Sequence, residues 1–351
     1  MPLEKFNGRR AVTLENTELH VTVLPGGGHI AAIHHKATGV NPLWSPPWNS
    51  IEPETYDPRK HPEFGTTGEA RLLAGIMGHN LCLDIFGGPS PEEEAAGVTP
   101  HGEGSMVNFD VSEAGGQLTM KAMMPLAQIH FERRIELHGS AVRIRESAEN
   151  LAAFDRPIGW TQHATLGPPF LETGVTQFRA SATKSRVFES EFGPDDYLKS
   201  GADFEWPLAP GKDGTLKDLR VMNSAAVSSA YTTHVMDESK EHAFFSAWNP
   251  AKKLAFGYIW KRADFPWLGI WEENHSRTTS PWNAKTLTRG MEFGASPFPE
   301  SRKEATARGH LFGVPAYRWL PARTKLQVEY WAILRATDAP PDSFAWPNHH
   351  P

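Results

Sequence analysis

The apolar residues of this chain recur with a period of two, and this alternation limits the fold more than any other feature. From Ile129 to His138 the odd positions are Ile, Phe, Arg, Ile and Leu, whereas the even positions are polar or charged. A strand with one buried face shows this pattern, because successive side chains point to opposite faces. The pattern begins again at Ala141 after a turn at His138-Gly139-Ser140, so the two segments predict a β-hairpin.

Four further segments alternate in the same way, and no segment keeps the i, i+3, i+4, i+7 spacing of an amphipathic helix. These segments are 19–23, 118–123, 254–260 and 326–334. The 30 glycines and 29 prolines punctuate short runs. Gly26-Gly27-Gly28 lies between two strand-like runs and predicts a hairpin turn. The chain is therefore predicted to be mainly β, a large antiparallel β-sandwich formed as a single domain over residues 1–351.

One segment, at about 46–100, departs from this pattern. It is rich in proline, glycine and acidic residues, and its apolar runs are short. A second loop-rich stretch lies between Phe192 and Leu219. Long loops are uncommon in compact domains unless they build a site or stay mobile, so we expect segment 46–100 to be loop-rich and to help shape a cleft.

Charge and composition exclude several classes of partner. The net charge is -6 and the basic residues are not clustered, which argues against nucleic acid and anionic membranes. No run of eighteen apolar residues could span a bilayer, and the amino terminus lacks a signal-peptide pattern, although a trimmed signal would look the same. We expect a cytoplasmic monomer or homodimer that binds a small neutral molecule.

Cysteine and motif content narrow the chemistry. Cys82 is the single cysteine, so an intrachain disulfide and CxxC zinc patterns are excluded, and we expect it in the core. Patterns of phosphate loops, hydrolase elbows and HExxH zinc helices do not occur. The residues that could in principle serve as metal ligands are His79, His101, Glu103, His163 and Glu292. Their spacing in the sequence does not match a known metal-binding pattern. We therefore predict no metal and no cofactor.

His163 is the strongest candidate for acid–base chemistry. It lies at a predicted strand end, followed by Gly167-Pro168-Pro169. Trp160 offers a flat apolar face for a sugar ring, and Gln162 supplies a two-sided hydrogen-bonding group. A histidine in such a setting can donate a proton near neutral pH. The alternative is a buried histidine capped by neighbouring backbone.

Glu292 is the candidate base. It lies between Met291 and Phe293 in a strand-like run, so one interpretation is a carboxylate made more basic by apolar neighbours. The other is an outward-facing strand residue opposite a basic side chain. His101, preceded by a proline and followed by a glycine, is predicted in a loop with its ring free for a ligand. The remaining candidates for the same cleft are His79, Trp271 and Glu272.

Several short segments, taken in order, resemble the galactose mutarotase-like superfamily, which includes the aldose 1-epimerases. Residues 16–30, with 36–39, look like that family's opening hairpin. The family's sugar-binding His-Gly pair is similar to His101-Gly102, and its acid position to Gln162-His163. The segment Met291-Glu292-Phe293-Gly294 is similar to the one that carries its catalytic glutamate. The resemblance also implies a sugar-binding arginine, for which Arg71 is the candidate.

The resemblance implies an enzyme that interconverts sugar anomers with a histidine acid and a glutamate base, without metal or cofactor. In this interpretation Glu292 takes the proton of the anomeric hydroxyl and His163 protonates the ring oxygen. Two alternatives stay open at this point. One is a lyase or glycoside-cleaving enzyme acting on a modified sugar or polysaccharide, and the other is a non-catalytic carbohydrate-binding protein.

Overall fold

Antiparallel strands make up most of the structure, a computed structural model that describes residues 4–347. The strands of the first half of the chain are β1 (Glu4–Phe6), β2 (Arg9–Glu15), β3 (Leu19–Leu24), β4 (His29–His35), β5 (His79–Asp84), β6 (Asp110–Ala114), β7 (Gln117–Met124), β8 (Ile129–His138), β9 (Ala141–Asn150), β10 (Arg156–Leu166), β11 (Gln177–Ala180) and β12 (Ala182–Val187).

The second half continues with strands of similar length. They are β13 (Asp203–Glu205), β14 (Leu208–Pro210), β15 (Leu216–Asp218), β16 (Ser228–Met236), β17 (His242–Asn249), β18 (Leu254–Lys261), β19 (Trp267–Asn274), β20 (Leu287–Gly294), β21 (His310–Leu311), β22 (Val314–Pro315), β23 (Arg318–Leu320) and β24 (Lys325–Ala336).

Helices are short and connect strands. They are α1 (Ala70–Gly75), α2 (Pro91–Ala95) and α3 (Arg302–Arg308), with single 3-10 turns at Pro53–Thr55 and Pro62–Phe64. Ser90 caps α2 and Ser301 caps α3, each in a reciprocal pair with a glutamate three residues later. Over residues 4–347 the helices are all too short to cross a membrane.

Two large sheets organise the described residues. The larger, twelve-stranded sheet has the order β1-β2-β3-β4-β5-β10-β20-β19-β16-β12-β13, with β23 paired to the outer part of β10. The smaller, eight-stranded sheet has the order β11-β17-β18-β24-β9-β8-β7-β6. Neighbouring strands in these sheets pair antiparallel, which confirms the predicted mainly β architecture.

The strands predicted from alternation are present. β8 and β9 form the predicted hairpin, with Ile129 opposite Asn150 and His138 opposite Ala141. β3 and β4 pair across the triple-glycine turn, where Gly27 and Gly28 take positive φ values of 73° and 62°. Glycine meets that requirement at little steric cost, so the predicted turn is confirmed.

The main hydrophobic core lies between the two sheets. Phe293 of β20 in the larger sheet stacks on Trp260 of β18 in the smaller sheet, with ring centroids 4.3 Å apart. The other face of the central strands carries a second apolar cluster that includes the buried Cys82 together with Tyr231 and Trp271. The middle of the larger sheet is thus covered on both faces, by the second sheet and by loops.

The predicted loop-rich segment contains a central strand that its composition does not reveal. All six residues of β5 are buried, and β5 pairs with β10 in the middle of the larger sheet. A strand covered on both faces does not alternate between polar and apolar residues, so the period-two pattern fails there. The flanking parts of the segment remain irregular, and α1 and residues 86–88 line a cleft above the sheet.

Candidate active site

An open cleft of about 310 Å³ lies on the face of the larger sheet that is turned away from the core. Its floor carries His163 of β10 and Glu292 of β20, which are directly opposite each other in the antiparallel register. The Nε2 atom of His163 is 2.9 Å from Oε1 of Glu292, and the side chains are only 6% and 2% exposed. An imidazole and a carboxylate therefore form a pair that is almost fully shielded from solvent, at the bottom of a solvent-accessible cleft.

Thr165 holds the other nitrogen of the His163 ring. Its Oγ1 is 2.9 Å from Nδ1. Threonine 165 is two residues further along β10, so both side chains point to the same face of the sheet. A carboxylate oxygen accepts hydrogen bonds, so a proton on Nε2 points toward Glu292, whereas the threonine hydroxyl can either donate to Nδ1 or accept from it. The ring is fixed from both sides.

Two glycines make room for the side chains around Glu292. A Cβ atom at Gly290 would lie 2.4 Å from Oε1 of Glu292, so the carboxylate occupies the space that a side chain would take. At Gly269, the strand partner of Glu292 on β19, a Cβ would lie 2.1 Å from the hydroxyl oxygen of Tyr231. The glycines thus allow the carboxylate and the phenol to lie close to the sheet.

Tyr231 was not among the residues predicted from sequence. It lies on β16 and lines the cleft. Its hydroxyl is buried over Gly269, beside the carboxylate of Glu292. Burial, followed by the charge of Glu292, raises the pKa of Tyr231 well above its usual value, so the phenol stays protonated next to that carboxylate.

His101 contributes a second imidazole to the cleft, in the loop where the sequence placed it. Its backbone φ is +65°, and its ring centroid is 5.2 Å from that of His163. Burial, followed by the charge of His163, lowers the pKa of His101, so its ring is neutral near pH 7. Nδ1 of His101 is 3.4 Å from the amide nitrogen of Asn80, whose Oδ1 has no partner within the described residues.

An aromatic wall closes one side of the cleft. Trp271 lies with its ring centroid 5.8 Å from that of His163, and Trp282 packs edge-on against it at 6.1 Å. Arg277 lies over both indoles, with its guanidinium carbon 4.9 Å from the centroid of Trp282 and 5.7 Å from that of Trp271. Flat apolar rings beside polar groups suit the C–H faces of a sugar.

Trp160 and Gln162 lie outside the cleft, contrary to the sequence prediction. Trp160 is fully buried in the inter-sheet core, where its indole nitrogen is 3.2 Å from Glu146. Gln162 is equally buried and bonds to Glu146 and Tyr330. The physical reason is the period of two in β10: if His163 faces the cleft, residues 160 and 162 must face the opposite side.

His79 and Glu272 are also core residues, so their predicted contact with a sugar is wrong. His79 bonds through Nδ1 to Tyr258 and through Nε2 to Gln162, at 2.8 and 2.9 Å. Glu272 accepts a hydrogen bond from the hydroxyl of Tyr197 at 2.8 Å and lies 3.4 Å from the buried Arg289. Their neighbours in sequence, Asn80 and Trp271, face the cleft side.

Arg71 is likewise misplaced by the sequence prediction. It lies on α1, whose neighbouring residues Leu72 and Leu73 line the cleft, but its own Nε is 3.4 Å from the carbonyl of Pro53. The cation that does line the cleft is Arg277, in the turn after β19. Its position depends on the path of a loop, for which the sequence contains no periodic signal.

The five residues considered as metal ligands do not form one group, because His79 and Glu103 lie outside the cleft that contains the other three. His79 is in the core, and Glu103 accepts the backbone N–H groups of Leu126 and Ala127. Within the described residues, no group of three or more histidine, cysteine, aspartate or glutamate side chains is arranged to hold a metal ion.

Comparison with known proteins identifies the architecture. No protein-family model and no curated protein matches the chain. Its structure is similar to that of a Klebsiella pneumoniae protein provisionally named as an aldose 1-epimerase, with a TM-score of 0.70 and 15% identity over 96% of this chain and 82% of that one. The chain has the galactose mutarotase-like fold.

Two further solved structures share this galactose mutarotase-like fold. A galactose mutarotase-like protein from Clostridium acetobutylicum has a TM-score of 0.63 and 13% identity, covering 96% of this chain and 98% of that one. A galactose mutarotase related enzyme from Lactobacillus acidophilus has a TM-score of 0.61 and 14% identity, covering 94% and 99%. At these identities the similarity establishes the fold, and the chemistry has to be argued from the cleft.

Proposed function

We propose that the protein is a carbohydrate-active isomerase of the aldose 1-epimerase type, which interconverts the α and β anomers of a free sugar. The observation that carries this proposal is the contact of 2.9 Å between His163 and Glu292 on the floor of an open cleft. The fold supports it, because solved structures with this architecture include proteins named as galactose mutarotase-related or galactose mutarotase-like. A resident cofactor is not needed for the reaction.

The chemistry explains why the two groups are neighbours. Opening a cyclic hemiacetal requires removal of a proton from the anomeric hydroxyl and delivery of a proton to the ring oxygen. Both oxygens are bonded to the same carbon, so the base and the acid must lie close together. A histidine and a glutamate opposite each other on paired strands meet that requirement, and each positioned proton transfer contributes about 10²–10⁴-fold.

The proposed cycle begins with an ionised Glu292 and a protonated His163. Glu292 takes the proton from the anomeric hydroxyl, His163 gives its proton to the ring oxygen, and the bond between that oxygen and C1 breaks to leave an open-chain aldehyde. Rotation about the bond between C1 and C2 presents the other face of the carbonyl. The ring hydroxyl then attacks C1, returning its proton to His163, while Glu292 returns its proton to the carbonyl oxygen.

The remaining cleft residues favour a neutral sugar. Among the described residues that line the cleft, Arg277 is the one arginine or lysine, and it is paired with Glu69 and Glu273. A phosphorylated or acidic sugar would therefore find no free guanidinium or ammonium group as its partner there. The neutral ring of His101 can donate to or accept from a sugar hydroxyl, and the indoles of Trp271 and Trp282 offer apolar contact.

The test is anomer exchange followed by saturation-transfer NMR with a panel of neutral aldoses. We expect the wild type to exchange at least one sugar above its spontaneous rate, and His163→Ala and Glu292→Gln to lower the rate by about 100-fold or more. His310→Ala and Glu329→Gln are matched controls, because these residues lie away from the cleft, and they should retain the wild-type rate.

Three other results would redirect the assignment. If the wild type left every aldose at its spontaneous rate of anomer exchange, the assignment as a mutarotase of these sugars would be wrong. New species in the spectra, rather than a changed anomer ratio, would indicate a lyase or a glycoside-cleaving enzyme. Sugar binding of equal affinity in the wild type and Glu292→Gln, without exchange in either, would indicate a carbohydrate-binding protein.

A further inference from the structure

The hydroxyl of Tyr231 lies on one flank of Glu292, and the proposed proton transfers assign it no role. Strands β10, β20, β19 and β16 are successive neighbours in the larger sheet. Glu292 on β20 has His163 opposite it on β10 and Gly269 opposite it on β19. A Cβ at Gly269 would lie 2.1 Å from the Tyr231 hydroxyl oxygen and 3.5 Å from Cβ of Glu292, so the phenol extends from β16 over the glycine. The glutamate therefore lies between the histidine and the phenol.

The carboxylate of Glu292 is the natural acceptor for this hydroxyl. The hydroxyl oxygen is buried, and it bonds to no other side chain or backbone group within residues 4–347. Burial, followed by the charge of Glu292, raises the pKa of Tyr231, so the phenol keeps its proton. Most buried donors in native proteins are paired. We therefore expect the phenolic proton to point to the carboxylate beside it.

Glu292 needs a second donor because its side chain is almost fully buried. Within the described residues its one ion pair is the contact of 2.9 Å with Nε2 of His163. A buried carboxylate is costly unless it is paired and hydrogen-bonded. In the proposed cycle Nε2 of His163 serves the ring oxygen of the sugar, so during that step the histidine no longer holds the carboxylate. A donor on the opposite flank keeps the carboxylate in place.

We infer that Tyr231 is a positioning residue, whose hydroxyl donates to the carboxylate of Glu292 and holds it at the anomeric hydroxyl while His163 serves the ring oxygen. The inference rests on the proposed function, because that function makes Glu292 the base. Tyr231 touches neither the sugar nor the reacting oxygens and acts through Glu292. Gly269 belongs to the same arrangement, because its missing side chain leaves the space that the hydroxyl occupies.

The kinetic test measures anomer exchange by saturation-transfer NMR over a range of concentrations of the aldose that the wild type exchanges fastest. Tyr197→Phe is the matched control for Tyr231→Phe, because it removes a phenol that donates to another glutamate, Glu272, away from the cleft. We expect Tyr231→Phe to lower kcat about tenfold and to leave KM unchanged, since it removes a hydrogen bond to a charged group and no contact with the sugar. Tyr197→Phe should keep both constants. In the Glu292→Gln background Tyr231→Phe should have no further effect.

The second measurement observes the hydroxyl proton itself, without any sugar. A buried phenol that donates to a carboxylate is expected to give a slowly exchanging, downfield hydroxyl signal in the proton NMR spectrum, because such charge-assisted bonds are short and strong. We expect one signal of the wild type to be absent in Tyr231→Phe, to move upfield in Glu292→Gln and to stay in place in Tyr197→Phe. Should Tyr231→Phe not fold, isotope labelling of the tyrosine rings assigns the signal, and its response to Glu292→Gln decides.

The inference is overturned if Tyr231→Phe has the kcat of the wild type, if Tyr197→Phe lowers kcat equally, or if the Tyr231 hydroxyl signal does not respond to Glu292→Gln. A wild type that leaves every aldose at its spontaneous rate is a separate result. It would refute the proposed function, and the positioning role in that reaction with it, whereas the hydroxyl signal would still decide whether Tyr231 holds Glu292.

Discussion

At the scale of the residue, the central feature is a histidine ring held by two different partners. Glu292 contacts Nε2 of His163 and Thr165 contacts Nδ1, both at 2.9 Å. Because the threonine holds Nδ1, Nε2 is the nitrogen that can exchange its contact with Glu292 for a contact with a sugar oxygen. The threonine therefore acts through the histidine, as a positioning residue.

Removing the Thr165 hydroxyl should lower the rate of anomer exchange by more than the accompanying loss of folding stability would explain. Thr165→Val keeps the side-chain shape and deletes a hydrogen bond with a net contribution of about 1 kcal/mol, so we expect kcat to fall about fivefold. Thr161→Val is the matched control: Thr161 is buried on the same face of β10, and its Oγ1 has no partner among residues 4–347. Exchange rates and thermal unfolding of both variants check this, and equal loss of activity in the two would contradict it.

At the scale of the element, β10 shows which site residues could be predicted from the sequence and which could not. Its position opposite β20 brings His163 to Glu292, yet the same strand sends Trp160 and Gln162 into the core. Side chains of any strand alternate between its two faces, and this rule was sufficient to exclude residues 160 and 162 once residue 163 was assigned to the cleft. That error came from grouping neighbours in sequence rather than neighbours on a face.

β5 raises a different difficulty, because it is buried on both faces. Its core face carries His79 and its cleft face carries Asn80. Composition indicated loops around it, and nothing in six residues without alternation distinguishes a central strand. The two faces have different consequences, since a histidine in the inter-sheet core affects stability, whereas the buried amide of Asn80 contacts the ring of His101.

The core face of β5 makes stability depend on pH. Burial, followed by the charge of Arg133, lowers the pKa of His79 to about 3, whereas an unfolded histidine titrates near about 6.5. Between these values the unfolded chain binds a proton that the folded chain does not, so stability is present above about pH 6.5 and is lost as the pH falls toward about 3.

His79→Gln should therefore flatten the dependence of the unfolding free energy on pH. Between about pH 4 and about pH 6 we expect the slope to decrease by up to about 1.4 kcal/mol per pH unit, measured by urea unfolding. His310→Gln, at an exposed histidine, should leave the slope unchanged. An unaltered slope in His79→Gln would mean that His79 is protonated in the folded protein.

At the scale of the whole molecule, a buried ionic network joins the two sheets directly behind the cleft. Glu146 of β9 lies 2.7 Å from Nε of Arg133 and accepts a hydrogen bond from Tyr330 at 2.7 Å, all within the smaller sheet. It also accepts from Gln162 at 2.6 Å, on the core face of β10. The strand that carries His163 is thereby attached to the second sheet.

Loss of this carboxylate should be costly for the fold. Glu146→Gln leaves the guanidinium of Arg133 buried without its counter-charge, so we expect a loss of about 3–5 kcal/mol in the free energy of unfolding. Glu329→Gln is the control, because the ion pair between Glu329 and Arg143 is partly exposed and should contribute about 1 kcal/mol or less. Urea unfolding of the two variants measures the difference, and similar values would contradict a structural role for the network.

The sequence alone determined the fold class, the alternating strands and the hairpins at Gly26-Gly27-Gly28 and His138-Gly139-Ser140, because alternation and glycine turns are local signals that tertiary contacts reinforce here. It also singled out His163, Glu292, His101 and Trp271, which the structure brings to one cleft. Only the tertiary structure decided that Tyr231 and Arg277 join them and that His79, Arg71, Trp160, Gln162 and Glu272 do not. The reason is physical: which face of a strand meets a cleft, and which loop reaches over it, follows from how distant strands pair and pack.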